Sequence, residues 1–466
     1  METLAMIIWE VIRKFGVFII FLGILVTVHE WGHFITAKRL GVDVERFSFG
    51  FGPKLFSRMH RGTEFVICLF PLGGYVKMAG DERDQCQGKP GEFFSKPVGY
   101  RALIVVNGPL INFLLAYVAL VIVFLLGYPD LSTNIHEVIN GKPAQMAGLR
   151  SGDEVVAVNR VPVYGWSELQ KAIAGSQGDQ IVLRVNRANE MVDVPIVPEM
   201  VVRQNLLGQE EKVRGVGISP YGNVIGEVEK DSPADKAGIK KGDKIISIDG
   251  AAVLGWTSLA TAIMESKSDT IEIVLERENQ MIHQSVAPKT EKVKNRDKSL
   301  KELRTIGIGP VQDLDSYRFG LGSSLVRGFQ KFIEFTVLTY KAIFLMIVGN
   351  VSAKESVAGP IGIFNIVDAA AQMGLNHFLL ILAVISANLA IVNLFPIVPL
   401  DGGHLFIMAM EKIRGGMLPR RIEETFARIG FSLIILLTVF VFYVDFARMG
   451  WIDQMFNFAY QIKQLF

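Results

Sequence analysis

The chain has 466 residues, 50% of them hydrophobic, and its mean hydropathy of +0.34 is high for a soluble protein. The 48 Lys and Arg residues nearly balance the 46 Asp and Glu residues, which argues against a nucleic-acid partner. The two cysteines, Cys68 and Cys86, have no C-x-x-C spacing and predict neither a disulfide framework nor a thiolate zinc site. The length allows about three domains.

Four segments are long and apolar enough to cross a bilayer, and they lie at 8–33, 103–127, 378–400 and 430–446. The connecting loops 34–101 and 401–429 are both rich in Lys and Arg. Because cytoplasmic loops carry an excess of these residues, we expect both loops in the cytoplasm. Both termini and the large segment 128–320 would then lie outside.

The first apolar segment leads directly into His29-Glu30-Trp31-Gly32-His33. On a helix, H-E-x-x-H places two imidazoles on one face, where both can bind one Zn²⁺, and the intervening Glu is the usual general base. Ionisable residues inside a bilayer are costly and are therefore functional candidates. The competing explanation is a polar helix end at the headgroups.

The outer segment contains an internal repeat with a period of 90 residues. Matching positions include Pro143 and Pro233, Gly148 and Gly238, Gly152-Asp153 and Gly242-Asp243, and Gly165-Trp166 and Gly255-Trp256. Each copy has short β-rich runs and one helix, predicted at 167–174 or 257–265. The repeated pattern resembles PDZ domains, which bind peptides by adding a strand to a sheet edge. It predicts one such domain at 128–220 and a second at 221–310.

Hydrophobic-Gly-hydrophobic stretches at Gly217 and Gly307 are candidate loops for binding a terminal carboxylate. Ordinary glycines in a strand or turn explain them equally well. The charged stretch 290–303 is most simply a solvated surface or a linker.

A fifth apolar segment, 330–349, carries Lys331, Glu334 and Lys341 along one helical stripe. We therefore predict an amphipathic helix that lies in the outer interface. If this segment crossed the membrane instead, Asp401 would lie on the face opposite to His29 and could not share its metal.

A zinc peptidase site needs three protein ligands and an open position. Asp401, at the end of the third spanning segment, is the best candidate for the third ligand, and His404 competes with it. Pro396 and Pro399 prevent regular helix pairing just before Asp401. Irregular backbone at membrane depth is tolerated where it lines a cavity, so a site can be built there.

Together these motifs resemble the site-2 protease family, most closely its bacterial branch. The resemblance covers nearly the whole chain and rests on H-E-x-x-H, the tandem repeats and the N-x-x-P…L-D-G-G sequence between Asn393 and Gly403. Further family-like stretches are 47–52, 71–78, Gly108-Pro109-Leu-Ile-Asn112 and 359–362. The family usually has a proline where this chain has Val398, but Asp401 keeps its spacing from Asn393.

The resemblance implies a polytopic α-helical membrane protein with four transmembrane helices, a membrane-dipping β-loop and two tandem α+β PDZ domains. The implied parts are a membrane core at 1–127 with the cytoplasmic β-loop region 34–101, the two PDZ domains, interfacial helices at 311–375, and the rest of the core at 376–466.

The resemblance also implies one Zn²⁺ per chain, held by His29, His33 and Asp401, with Glu30 as the catalytic base. The implied substrate-binding candidates are Asn393, Gly73, Gly74, Tyr75 and Asn112. For the two asparagines, hydrogen bonding between helices is a competing explanation.

The implied function is an intramembrane zinc endopeptidase of the bacterial inner membrane. It would cut single-pass membrane proteins of the anti-sigma-factor type, after a first cut by a periplasmic protease, as well as signal-peptide remnants. The PDZ pair and both termini would be periplasmic, and the active site would lie near the cytoplasmic side. The pair would act as a size filter, with capture of a new C-terminus as the rival role.

Two other classes of protein remain open from the residues alone. A membrane-anchored PDZ scaffold would explain 128–310 but not the convergence of His, Glu and Asp at one membrane depth. A zinc transporter or metal sensor would explain the metal ligands but not Glu30 or the peptide-binding repeats.

Overall fold

The computed structural model describes residues 2–205, 207–294 and 300–449. The chain forms two compact units, one made of Met1–Gly127 with Arg318–Phe466, the other of Tyr128–Tyr317.

The helices are α1 (Glu2–Arg39), α2 (Val98–Leu126), α3 (Pro143–Met146), α4 (Trp166–Ala174), α5 (Pro233–Lys236), α6 (Trp256–Glu265), α7 (Leu321–Ile347), α8 (Ala353–Ser356), α9 (Pro360–Gln372), α10 (Leu375–Asn393), α11 (Asp401–Arg414) and α12 (Arg420–Arg448). The strands are β1 (Val44–His60), β2 (Thr63–Met78), β3 (Tyr128–Leu131), β4 (Glu137–Val138), β5 (Glu154–Val158), β6 (Val161–Pro162), β7 (Ile181–Arg187), β8 (Glu190–Ile196), β9 (Glu199–Gln204), β10 (Glu210–Gly215), β11 (Ile218–Ser219), β12 (Ile225–Val228), β13 (Lys244–Ile248), β14 (Ala251–Ala252), β15 (Ile271–Arg277), β16 (Gln280–Val286), β17 (Lys289–Lys294), β18 (Leu300–Thr305), β19 (Ile308–Pro310) and β20 (Leu314–Tyr317).

Four helices of the first unit are long and apolar enough to cross a membrane: Ile8–Arg39 within α1, and all of α2, α10 and α12. The four predicted spans are therefore confirmed in number and approximate position. The last of them is longer than the predicted 430–446, because the helix begins directly after Pro419. A proline suits this position, since the first residues of a helix have no intrahelical N–H partner to lose.

The third span ends earlier than we predicted. We expected Asp401 to end an apolar segment over 378–400, but α10 stops at Asn393 and Asp401 begins the separate helix α11. Pro396 and Pro399 lie in the break between the two helices, and neither can donate the backbone hydrogen bond that a continuing helix needs.

Two glycines allow the start of α11 to pack against this break. A Cβ atom on Gly402 would overlap the backbone of Leu394, and one on Gly403 would overlap the backbone of Val398. The Gly-Gly pair thus brings the first turn of α11, with Asp401, directly against the irregular backbone.

Strands β1 and β2 form one long, curled hairpin between α1 and α2. Phe47 has partners on both sides, because it lies opposite Val76 and also opposite Phe65. Much of the hairpin is apolar and exposed, and its large exposed side chains are Phe51, Leu55, Phe56, Met59, Ile67, Leu69 and Phe70. Such a surface suits a lipid environment better than water.

Helix α7 contains the predicted amphipathic segment 330–349 and is not among the four helices that meet the criteria for a span. It packs along α2, with the Phe332 ring 5.6 Å from that of Phe113. Further along, Thr339 Oγ1 donates to Asn388 Oδ1 of α10 at 2.8 Å. Helix α7 thus packs along two helices of spanning length, and the predicted position of 330–349 in the outer interface stays a prediction.

The second unit shows the predicted internal repeat. Each copy has a four-stranded antiparallel sheet, ordered β6-β5-β7-β8 or β14-β13-β15-β16, with one longer helix, α4 or α6. A buried aspartate pairs with an arginine at 2.7 Å in each copy, Asp153 with Arg187 and Asp243 with Arg277. Burial opposes ionisation of both carboxyls, but the arginine contacts hold the pKa of each below its ordinary value.

An acidic side chain from outside the helix caps α4 and α6 at their N-termini, where each has a glycine as the N-cap residue. Glu137 of the first copy accepts the N–H groups of Thr257 and Ser258 at 2.8 and 2.9 Å, although its side chain is buried. Asp130 accepts from Ser167 in the same way at α4. Glu137 therefore fixes the second copy to the first.

The second unit extends beyond the predicted boundary at 310, because β20 pairs with β3 and closes the unit at Tyr317. The charged stretch 290–303 is not simply a linker. Its flanks belong to β17 and β18, which pair antiparallel from Lys289 opposite Thr305 to Lys294 opposite Leu300. Residues 295–299 of this stretch lie outside the described residues.

Candidate active site

Three predicted ligands converge at one point. His29 Nε2 lies 3.2 Å from Asp401 Oδ2, and His33 Nε2 lies 3.5 Å from Asp401 Oδ1. The ligand atoms of the three residues lie within 4.8 Å of one another, a grouping found nowhere else in the described parts of the chain. His404, the competing candidate, is exposed and is not part of the group. The structure thus brings together the set that the sequence favoured.

The backbone of α2 orients the second of these histidines. His33 Nδ1 lies 3.0 Å from the carbonyl oxygen of Ile104, the distance of a hydrogen bond. A histidine that donates its Nδ1–H in this way presents Nε2 to a metal, and such outer contacts fix both the tautomer and the ring orientation. Sequence reasoning missed Ile104, because a carbonyl group gives no signal in residue type.

Asn112 contacts the other histidine rather than an open cleft. Its side-chain nitrogen is placed 3.4 Å from His29 Nδ1, while its buried Oδ1 has no hydrogen-bond partner among the described residues. If His29 binds a metal through Nε2, its Nδ1 carries a hydrogen and needs an acceptor. Rotation of the Asn112 amide by 180°, which exchanges its oxygen and nitrogen, supplies that acceptor. The residues present therefore fit a bound metal ion.

Glycines bring α1 and α2 together at the site. A Cβ on Gly32 would overlap the carbonyl oxygen of Asn107, and a Cβ on Gly108 would overlap His33 Nε2 and lie 3.0 Å from His29 Cε1. Asn107 Nδ2 also donates to the carbonyl of Gly32 at 3.1 Å. The two helices can approach closely only because both positions lack a side chain.

Glu30 lies between the candidate metal ligands and the hairpin strand 74–78. The backbone N–H of Val76 faces its carboxylate. A Cβ on Gly74 would lie only 3.4 Å from Glu30 Cγ and 2.7 Å from the carbonyl of Ser48, so a larger residue would push this strand away. Val76 was not predicted, because its contribution is again a backbone group.

The same strand has one free edge. Gly74, Tyr75 and Val76 pair with β1 on one side, and no strand among the described residues pairs with their other side. The ring of Tyr75 stacks on that of Phe51, with 6.0 Å between the ring centres, and its hydroxyl accepts a hydrogen bond from Arg46 at 3.2 Å.

The remaining candidates share no hydrogen bond with this cluster within the described residues. Gly73 has a φ of 123°, which favours glycine, and a Cβ there would overlap Phe51. Asn393 is the last residue of α10, is half-buried, and makes no side-chain hydrogen bond within the described part of the chain.

Gly217 and Gly307 occupy equivalent turns in the two outer copies, with φ of 83° and 76°. Their carbonyls accept from Ile139 and Glu229, both at 2.9 Å. The turns are thus alike in hydrogen bonding, and the predicted role in binding a carboxylate stays a prediction.

A membrane-embedded H-E-x-x-H helix with a converging third carboxylate defines a zinc metallopeptidase. The chain belongs to peptidase family M50, whose model matches residues 17–437. The predicted family, enzyme class and zinc cofactor are confirmed, and the scaffold and transporter alternatives are wrong.

The chain is 33% identical to the regulator of sigma-E protease RseP of Salmonella typhimurium, over 94% of this chain and all of that one. It is 34% identical to the protease RseP of Yersinia pestis and 33% identical to a putative zinc metalloprotease of Vibrio cholerae, with the same coverage. A solved structure, the PDZ domain of an SdrC-like protein from Listeria monocytogenes, is similar to 21% of this chain and 94% of its own chain, at 23% identity and a TM-score of 0.16.

Proposed function

We propose that this chain cuts the transmembrane segments of single-pass membrane proteins of the anti-sigma-factor type, after an earlier cut on the outer side, and also signal-peptide remnants. The observation that carries the proposal is the position of the ligand cluster. His29 and His33 lie on a helix of spanning length, and Asp401 follows another such helix by a short break. The name of the Salmonella typhimurium relative, regulator of sigma-E protease RseP, supports the proposed substrate class.

The reaction is the hydrolysis of a peptide bond. His29, His33 and Asp401 would hold zinc, which when bound supplies Lewis acidity that polarises a carbonyl and lowers the pKa of water. Glu30 takes the proton from the attacking water and passes it to the nitrogen of the leaving chain. The close approach of Gly74 to Glu30 keeps the carboxylate beside the hairpin strand for both transfers.

A helical substrate must unwind before its carbonyl can be reached. The free edge of residues 74–76 lies beside Glu30, so an extended segment that added to this edge would run past the ligands. The half-buried amide of Asn393 is then a second group that can bond to the substrate backbone. The exposed apolar side chains of the hairpin support its placement in the membrane.

Unwinding predicts that helix strength near the cut controls the rate. Of two single-span substrates that differ only in Gly or Ala near the cut, the Ala form should be cleaved about fivefold more slowly for each Gly replaced, because Gly costs a helix about 1 kcal/mol relative to Ala. Cleavage of purified substrate in lipid measures this ratio. As a control, two short peptides, one with the Gly sequence and one with the Ala sequence, should be cut at equal rates, since neither has a helix to unwind. Equal rates for both membrane substrates would contradict the unwinding step.

We also propose the topology and the outer filter. The basic loops support a cytoplasmic position for the hairpin and α11, within a bacterial inner membrane, with the repeats and both termini in the periplasm. The two repeats would bind or exclude substrates there in the manner of PDZ domains. Their fixed mutual arrangement, which Glu137 maintains, supports exclusion of substrates with bulky outer domains.

The filter gives a prediction with a matched control. Glu137→Ala removes the carboxylate that caps α6 and should loosen the two copies, whereas Glu227→Ala changes the equivalent, exposed position of the second copy. We expect the preference for a substrate with a short outer segment over one with a folded outer domain to fall several-fold in Glu137→Ala only. Cleavage of the two substrates by full-length protein measures it. An equal loss with both substrates would indicate capture instead of exclusion.

A further inference from the structure

A buried ion pair joins α2 to α11 away from the ligand cluster. Arg101 Nη2 lies 2.8 Å from Glu411 Oε2, and their side chains are only 3% and 1% exposed. The guanidinium also lies over the ring of Phe94, 5.2 Å from its centre. Burying two charges is costly, so such a pair is weak evidence for stability and better evidence for a fixed geometry.

Each of the two helices carries part of the metal centre. Helix α2 presents the Ile104 carbonyl to His33 and the Asn112 side chain to His29. Helix α11 begins with Asp401. The position of the third ligand relative to the two histidines therefore depends on how α11 is set against α2.

The other contacts that place α11 are steric or apolar rather than charged, as at Gly402 and Phe406. The backbone before it is irregular, and the helix is only 14 residues long. Met408 packs with Val105 and Ile104 in one apolar cluster, but apolar contacts tolerate rotation and sliding better than a paired charge does. Glu411 lies ten residues after Asp401, about 15 Å along the helix, and so anchors the far end.

We propose that Arg101 and Glu411 are positioning residues of the metal centre. Their ion pair sets the rotation and height of α11 on α2, and thereby holds the Asp401 carboxylate at the two histidines. The inference rests on the metal site of the proposed function, and it assigns a role to two residues that touch neither metal nor substrate.

The test uses Glu411→Gln and Arg101→Lys in the full-length protein. Each substitution keeps the size and polarity of the side chain but weakens the charged, directional pair. We expect zinc affinity, measured by competition with a chelator, to fall about 10- to 100-fold in both, as for loss of other groups that orient ligands. Cleavage should recover when zinc is supplied in excess.

The control is Glu423→Gln, which breaks the less buried pair of Arg83 and Glu423, also at 2.8 Å but on α12. It should leave zinc affinity within about twofold of wild type. Unchanged zinc affinity in Glu411→Gln and Arg101→Lys would overturn the inference. A loss of zinc that occurs only when the protein also loses its helical structure would overturn it as well. Failure of the wild type itself to bind zinc would instead reject the proposed metal site.

Discussion

Glu30→Gln is expected to bind zinc as tightly as the wild type and to lose nearly all cleavage. The substitution keeps the shape of the side chain, but an amide cannot take a proton from water. Removing a general base typically costs about 10²- to 10⁴-fold in rate. The proposed zinc ligands are other side chains, so the metal content should not change.

The measurement is cleavage of a single-span substrate by purified protein in detergent or lipid, with zinc content determined on the same samples. Wild-type cleavage should stop on addition of a zinc chelator and return when Zn²⁺ is added back. Glu30→Gln should stay inactive in all three conditions. If it cleaved at the wild-type rate, H-E-x-x-H would not be the catalytic motif, whatever the zinc content.

The candidate metal ligands could be predicted from sequence because their signal is carried by residue type and helical spacing. Two histidines four residues apart point the same way in any regular helix, which α1 is. Asp401 was found because two prolines and two glycines mark the break beside it. The exact path of that break could not be predicted, since it depends on α11 packing against Leu394 and Val398 through Gly402 and Gly403.

Groups that act through the backbone or through distant contacts escaped prediction. A backbone carbonyl like that of Ile104, or a backbone N–H like that of Val76, occurs in nearly every residue, so only the fold shows where it points. The sequence showed that the Gly-Trp pair is repeated, but it did not show why a glycine is needed there. Gly255 leaves room for Glu137, which lies 118 residues earlier and belongs to the other copy.

Contacts between helices limited the prediction in the membrane unit as well. The charged stripe of 330–349 correctly marked α7 as different from the four spans. It did not reveal that Gly328, Phe332 and Thr339 bring α7 along α2 and α10, because a helix's own periodicity does not identify its partners.

Gly108→Ala is expected to lower zinc affinity by roughly 100-fold or more, although it adds a single methyl group. The added Cβ would overlap His33 Nε2 and lie 3.0 Å from His29 Cε1, so at least one ring must move. Metal–ligand distances tolerate only about 0.2 Å, and close packing of α1 on α2 at Gly32 prevents the helices from separating to compensate. Cleavage should fall with the bound zinc.

Gly99→Ala is the matched control on the same helix, because a Cβ there meets nothing within 4 Å. It should leave zinc binding unchanged and raise stability slightly, since Ala favours a helix over Gly by about 0.5–1 kcal/mol. Zinc competition and thermal unfolding of both proteins separate the local effect from a general effect of helix substitution. Wild-type zinc affinity in Gly108→Ala would show that the histidine rings do not bind metal in the orientation found here, since that orientation leaves no space for the methyl group.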